Sequence, residues 1–200
     1  MKLGIMGGTF DPVHYGHILT AKEVMEREGL DRVLFIPTGN PGHKKDKKVT
    51  DAQLRYEMLK SATADFEGFE VSDIEIAREG YTYAIDTLRA LKQSLPQDTE
   101  LFYIIGADVI RELDTWKDYK EDFALSSFIA VERPGISRED FLEAAEKMTE
   151  LGAKINLVKV LPREISSSGI REKIRQGKSV ENLLPEKVLQ TIRERRLYKE

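Results

Sequence analysis

The sequence has 200 residues, 40% of them hydrophobic and 33% charged, and it contains no cysteine. That length supports one compact domain with a sizeable core, and the lack of cysteine excludes disulfide scaffolds, cysteine-ligated zinc and thiol catalysis. Its 31 Lys+Arg against 35 Asp+Glu leave a formal net charge of −4, which argues against a general nucleic-acid binder without excluding a local basic site.

Lys2–Met6 is a short apolar run ending on Gly7-Gly8 and predicts a buried first strand. In His17–Glu28 the apolar positions Ile18, Ala21, Val24 and Met25 have helical spacing, and Gly29 supplies the stop. Val33–Ile36 reads as a second strand ended by Pro37, followed by a polar loop, Thr38–Val49, with four lysines. Thr50 with Gln53 has the form of a capping box for a helix to about Ala64. Phe69–Ile76 predicts a third strand and Tyr83–Gln93 a helix before Pro96. Glu100–Ile105 is an apolar run leading into Gly106-Ala107-Asp108, a fourth strand. Ser127–Val131 and Ile155–Val160 are further strands, with a helix over Ser137–Leu151 between them. Ser168–Arg175 and Pro185–Arg196 predict two closing helices, the second with proline in its first turn.

Strands alternating with helices of this length imply βαβ units and a mostly parallel sheet. The expected fold is α/β: residues 1–200 as a single doubly wound (Rossmann-like) domain with a C-terminal helical segment. No run of about 18 apolar residues suggests a membrane span, and the start, MKLGIMGG, has too short an apolar stretch for a secretory signal. A cytoplasmic protein is expected.

Ligands of such sheets bind beyond the carboxyl ends of the strands, and the polar features gather there. After the first strand comes Gly7-Gly8-Thr9-Phe10-Asp11-Pro12, then His14 and His17. The glycines let backbone approach a ligand, and the following helix start offers N–H groups to an anion. Neither common dinucleotide nor P-loop fingerprint is present. Two histidines three apart on a helix start share a face, suggesting donors aimed at phosphate. The competing readings are incidental histidines beside a turn, or a zinc pair without a neighbouring Glu or Cys.

The string GGTFDPVHYGH resembles the signature of the paired-histidine nucleotidyltransferases, and closely that of the nicotinate-nucleotide adenylyltransferase family. Later landmarks follow in the family's order: His43-Lys44, Arg55 with Met58, Arg78-Glu79-Gly80, Gly106-Ala107-Asp108 with Trp116, Arg133-Pro134, and Ile165-Ser166-Ser167-Ser168-Gly169-Ile170-Arg171. The resemblance implies adenylyl transfer from ATP to nicotinate mononucleotide, with Mg²⁺ accompanying ATP and no covalent enzyme intermediate. It makes both molecules small-molecule partners and implies neither a nucleic-acid nor a membrane partner, nor a protein metal site. Such transfers ask the protein for positioning and charge stabilisation rather than a nucleophile.

Under this resemblance His14, His17 and Lys44 are catalytic. ATP is expected on Gly7, Gly8, Thr9, Phe10, His17, Gly106, Asp108, Ile165, Ser166, Ser168 and Arg171. Nicotinate mononucleotide is expected on Thr9, His14, Lys44, Tyr83, Ala84, Trp116 and Arg133. Plainer readings stand beside these: Lys45, Lys47 and Lys48 as a solvated face, the serines as an N-cap, Asp108 as a helix cap, and Trp116, Tyr81, Tyr83 and Phe10 as core aromatics. Trp116 lies in a polar stretch, which suits a ring stacking on a heterocycle.

Two positions depart from the family pattern. Gly42 replaces the second proline of the His-Lys loop, which raises the cost of ordering that loop. Ala84 stands where the family has Thr, so only backbone N–H groups at that helix start remain to favour a carboxylate over an amide. Rival functions are adenylyl transfer to nicotinamide mononucleotide or phosphopantetheine, a non-catalytic nucleotide sensor, and a metal-dependent hydrolase, the last disfavoured by the lack of a carboxylate cluster.

Overall fold

A computed structural model describes residues 1–40, 49–132 and 137–199. Its strands are β1 (Lys2–Gly8), β2 (Arg32–Pro37), β3 (Phe69–Val71), β4 (Glu100–Gly106), β5 (Ser127–Glu132) and β6 (Ile155–Lys159). They form one parallel sheet in the order β3-β2-β1-β4-β5-β6. The helices are α1 (Tyr15–Glu28), α2 (Ala52–Thr63), α3 (Ala84–Ser94), α4 (Tyr119–Leu125), α5 (Arg138–Glu150), α6 (Ser167–Arg175) and α7 (Glu186–Glu194).

Strand residues alternate between two cores, as the two-residue repeat of a strand requires. Leu34, Ile36, Leu101, Tyr103, Ile105 and Phe128 face one core with α3, α4 and α5. Met6, Val33, Phe35, Ile104, Ile129 and Val131 face the other with α1, α2, α6 and α7. The expected doubly wound parallel sheet is therefore what the chain forms.

Several boundaries differ from the sequence reading. β3 ends at Val71 rather than Ile76: the Ile74 amide donates to Ser72 Oγ (3.3 Å), and Ala77 N–H to the Asp73 carbonyl (2.8 Å). Local polar side chains there turn the backbone out of the ladder. The cap of α2 is Asp51, which accepts from Leu54 N–H (3.1 Å), and not Thr50. Pro37 lies within β2 opposite Gly8. β1 and β4 each run into their glycines, α1 starts at Tyr15 and α6 at Ser167. The 3₁₀ turn Ile110–Thr115 and α4 were not expected; both are short and lie in a polar stretch without helical periodicity.

Strand order reverses between β1 and β4, the switch point where doubly wound sheets open a crevice. The opening is visible in the register. β1 stays paired with β2 as far as Gly8–Pro37, whereas its pairing with β4 stops at Ile5–Tyr103.

Candidate active site

The crevice is lined by the turn that follows β1. Gly7 is required there: a Cβ at this position would lie 2.6 Å from the Tyr103 hydroxyl. Phe10 is buried and takes a left-handed conformation (φ 50°), and the Asp11–Pro12 peptide is cis. His14 occupies the N-cap position of α1 in extended conformation, its carbonyl accepting from the His17 amide (2.9 Å).

This geometry stacks the two imidazoles, with centroids 3.7 Å apart and planes at 22°. The buried Phe10 ring meets His17 edge-on at 5.0 Å. Gly16 makes room for the stack, since a Cβ there would come within 2.8 Å of His14 Nδ1. The arrangement is suited to donating toward phosphate oxygens.

The start of α6 lies beside this turn. Its three serines divide the work. Ser166 caps the helix, accepting from Gly169 N–H (3.1 Å). Ser167 Oγ donates to the Pro12 carbonyl (2.9 Å). Ser168 is exposed, its hydroxyl 3.3 Å from that of Ser166. Arg171 Nη1 donates to the Asp11 carbonyl (2.6 Å), which binds the α6 start to the histidine turn. Ile165 is half-buried against the core beneath them.

At the end of β4, Gly106 pairs with Val131 and leads to Asp108, which is exposed at the strand's carboxyl end. The following 3₁₀ turn takes Val109 as its N-cap residue, so Asp108 does not occupy the cap position proposed as its plainer role.

The opposite wall of the crevice is aromatic. Trp116 is half-buried, its ring edge-to-face with Tyr103 (5.7 Å) and Phe128 (6.5 Å). Tyr83 is exposed at the N-cap of α3, and Ala84 begins the helix. Lys117 Nζ sits 4.6 Å over the Tyr83 ring and 3.5 Å from Asp86. Behind this wall Glu75 is buried and accepts from Thr87 Oγ1 (2.9 Å). Burial pushes its carboxyl above the ordinary carboxylate range, against the hydrogen bonds from Thr87 and Thr82 and the Arg78 charge.

Thus Gly7, Gly8, Thr9, Phe10, His14, His17, Ile165, Ser166, Ser168 and Arg171 lie on the β1-turn and α6 side, and Gly106 and Asp108 at the neighbouring strand end. Tyr83, Ala84 and Trp116 are on the aromatic wall. Lys44 and Arg133, with Gly42, lie outside the described residues. Sequence reasoning missed the part played by Arg55. Its guanidinium donates to the carbonyls of Thr9 (2.7 Å), Thr38 (2.7 Å) and Gly39 (3.4 Å) and, through Nε, of Thr50 (2.9 Å). It also gave Asp11, Ser167 and Lys117 no separate role. An arginine within an otherwise apolar helix face was the one available signal.

Residues 5–173 match the cytidylyltransferase-like family. A Desulfitobacterium hafniense relative named "Probable nicotinate-nucleotide adenylyltransferase" is 45% identical over 99% of this chain and 96% of its own length. One from Thermoanaerobacter sp., with the same name, is 46% identical over 100% of this chain and 95% of its own. The chain belongs to the nicotinate-nucleotide adenylyltransferase family. A solved structure of Plasmodium falciparum nicotinic acid mononucleotide adenylyltransferase complexed with NaAD shares the fold of this family member, with a TM-score of 0.80 at 19% identity. That likeness covers 98% of this chain and 97% of the other.

Proposed function

We propose that this chain transfers the adenylyl group of ATP to the 5′-phosphate of nicotinate mononucleotide in NAD biosynthesis. A phosphate oxygen of the mononucleotide attacks the α-phosphorus of ATP in line. The bond from that phosphorus to the bridging oxygen breaks, releasing nicotinate adenine dinucleotide and pyrophosphate. The observation that carries the reading is the stacked His14–His17 pair at the switch-point crevice, in a chain about 45% identical to relatives bearing that enzyme name.

His14 and His17 stabilise charge on the departing pyrophosphate, the largest service a positioned donor performs in such a step. Backbone at Gly7–Thr9, the α6 start with Ser166 and Ser168, and Arg171 hold the ATP phosphates, while Asp108 accepts from a ribose. Trp116 and Tyr83 flank the pyridine ring, and Lys44 and Arg133 join from outside the described segments. Among the described residues no three His, Asp or Glu side chains are grouped to hold a metal ion. In this reading Mg²⁺ accompanies ATP. A cytoplasmic setting matches these substrates; no helix of the described residues is long and apolar enough to cross a membrane.

The backbone N–H groups at the α3 start favour a pyridine carboxylate over a neutral amide, so the acid mononucleotide is the preferred acceptor. Pyrophosphate release with ATP and each mononucleotide tests both points. Efficiency on nicotinate mononucleotide is expected to exceed that on nicotinamide mononucleotide by at least tenfold. Equal efficiencies refute the preference, and no release with either refutes the function.

A further inference from the structure

The turn that carries the histidine pair is held by a residue from the far end of the described chain. Tyr198 Oη donates to Asp11 Oδ1 at 2.6 Å, a contact across 187 positions. Asp11 is buried, its other carboxylate oxygen accepts from Thr50 N–H (3.3 Å), and its carbonyl accepts from Arg171. The aspartate is thus gripped from three directions: by Thr50 ahead of α2, by Arg171 in α6 and by Tyr198 beyond α7.

The backbone that delivers Tyr198 is built for this contact. α7 ends in a Schellman turn: Leu197 N–H reaches the Ile192 carbonyl (3.0 Å) and Arg196 N–H the Arg193 carbonyl (3.3 Å). The left-handed position in that turn normally belongs to glycine, yet here it is Arg196 (φ 52°), and Tyr198 is itself left-handed (φ 60°). L side chains adopt this conformation only at a cost, and it persists where surrounding contacts fix it. Leu197 and Tyr198 pack on the same core as α1 and α7, which supplies those contacts. Burial and the adjacent Asp11 carboxylate raise the Tyr198 hydroxyl above the ordinary phenol range, so it remains a donor across the working pH range.

We propose that Tyr198 is a positioning residue for adenylyl transfer: by fixing Asp11, its hydroxyl sets the path of the Phe10–Pro12 turn and so the placement of the stacked His14–His17 pair. Phe10 links the two, one residue from Asp11 and edge-on to His17. The inference rests on the reading of that pair as the phosphate-facing group.

Tyr198→Phe keeps the ring and deletes only the donor. In this variant the imidazole NMR resonances of His14 and His17 are expected to move. kcat is expected to fall about tenfold, with KM for ATP and for nicotinate mononucleotide within twofold and Tm changed by no more than about 4 °C. A merely structural loss would lower Tm without this split between kcat and KM. In an Asp11→Asn background the same change is expected to add no further loss of kcat, because the two residues act as one unit. Unmoved His14 and His17 resonances overturn the proposal whatever turnover does, and so do additive losses in the double variant. If the unmodified protein shows no adenylyl transfer, the function reading fails, and the spectra alone decide the positioning role.

Discussion

Arg55 and Asp122 are each only 1% exposed and lie on opposite faces of the sheet, in α2 and α4. The four carbonyls that Arg55 engages belong to two loops, the one after β1 and the one between β2 and α2, so the charge is spread over partners that themselves needed donors. Neither carboxylate oxygen of Asp122 has a hydrogen-bond partner among the described residues. Burial first, then the nearby Asp118 and Glu121 charges, push its carboxyl up to about 7; Arg89 opposes this and Asp86 adds to it. Arg89 is already committed to Glu121 (2.8 Å) and Asp86 (3.4 Å). A buried cation matched to backbone becomes a clamp beside the histidine turn, whereas an unmatched buried acid on the other face of the sheet is tolerated by taking up a proton.

Removing the clamp should have the largest effect. Arg55→Met strands the carbonyls of Thr9, Thr38 and Thr50, each buried acceptor costing roughly 1–3 kcal/mol. The expected loss is about 4 kcal/mol or more, read as a lower urea midpoint at unchanged m. An unchanged midpoint would mean that water replaces the guanidinium and that the clamp is dispensable.

Asp122→Asn should act in the opposite sense. The folded carboxyl titrates near 7 rather than near 3.8, so the folded state holds an extra proton between those values. Stability from this residue is full below about pH 4, falls as pH rises toward 7, and stays low above it. The displacement corresponds to at most roughly 4 kcal/mol. The Asn variant should be more stable than the parent at pH 8, nearly equal at pH 4, and flatter in Tm between them. A parallel pH profile for both proteins would show that Asp122 is ionised and solvated.

His17→Ala separates chemistry from stability on the clamped side. Loss of one preorganised donor is expected to lower kcat by about 10²–10³-fold, equivalent to roughly 2.7–4 kcal/mol, with Tm nearly unchanged. A fall in Tm with near-normal kcat would place His17 in the scaffold instead.

What the sequence discloses follows from how local each contact is. The glycines, Thr9, Phe10 and the two histidines sit within eleven consecutive residues, so one stretch of chain displays their chemistry. The strand runs were equally plain, because a sheet buried on both faces demands near-continuous apolar segments. Arg55, Ser167 and Tyr198 act on that same turn from 46, 155 and 187 positions away, so the sequence displays Arg55 and Ser167 in their own local motifs without displaying what they hold. Thr50 shows the limit at close range. It resembles a cap, but its amide serves Asp11 and its carbonyl Arg55, which leaves Asp51 to cap α2. β3 is shorter than its run of apolar residues because Ile74 and Ile76 fall out of phase with Phe69 and Val71, and Ser72 and Asp73 between them divert the backbone into a turn.

The unequal pairing of β1 has a consequence for the order of assembly. Its partners in β2 are about thirty positions away, as with Leu3 and Arg32, while Lys2 meets Glu100 across almost a hundred. Long closures form slowly, so the β1–β4 join, and the crevice beside it, is expected to complete after the parallel β1–α1–β2 unit has formed. Nucleotide can then stabilise only a chain whose two halves have already met, shifting the final equilibrium by mass action and leaving the earlier, slower search for β4 untouched.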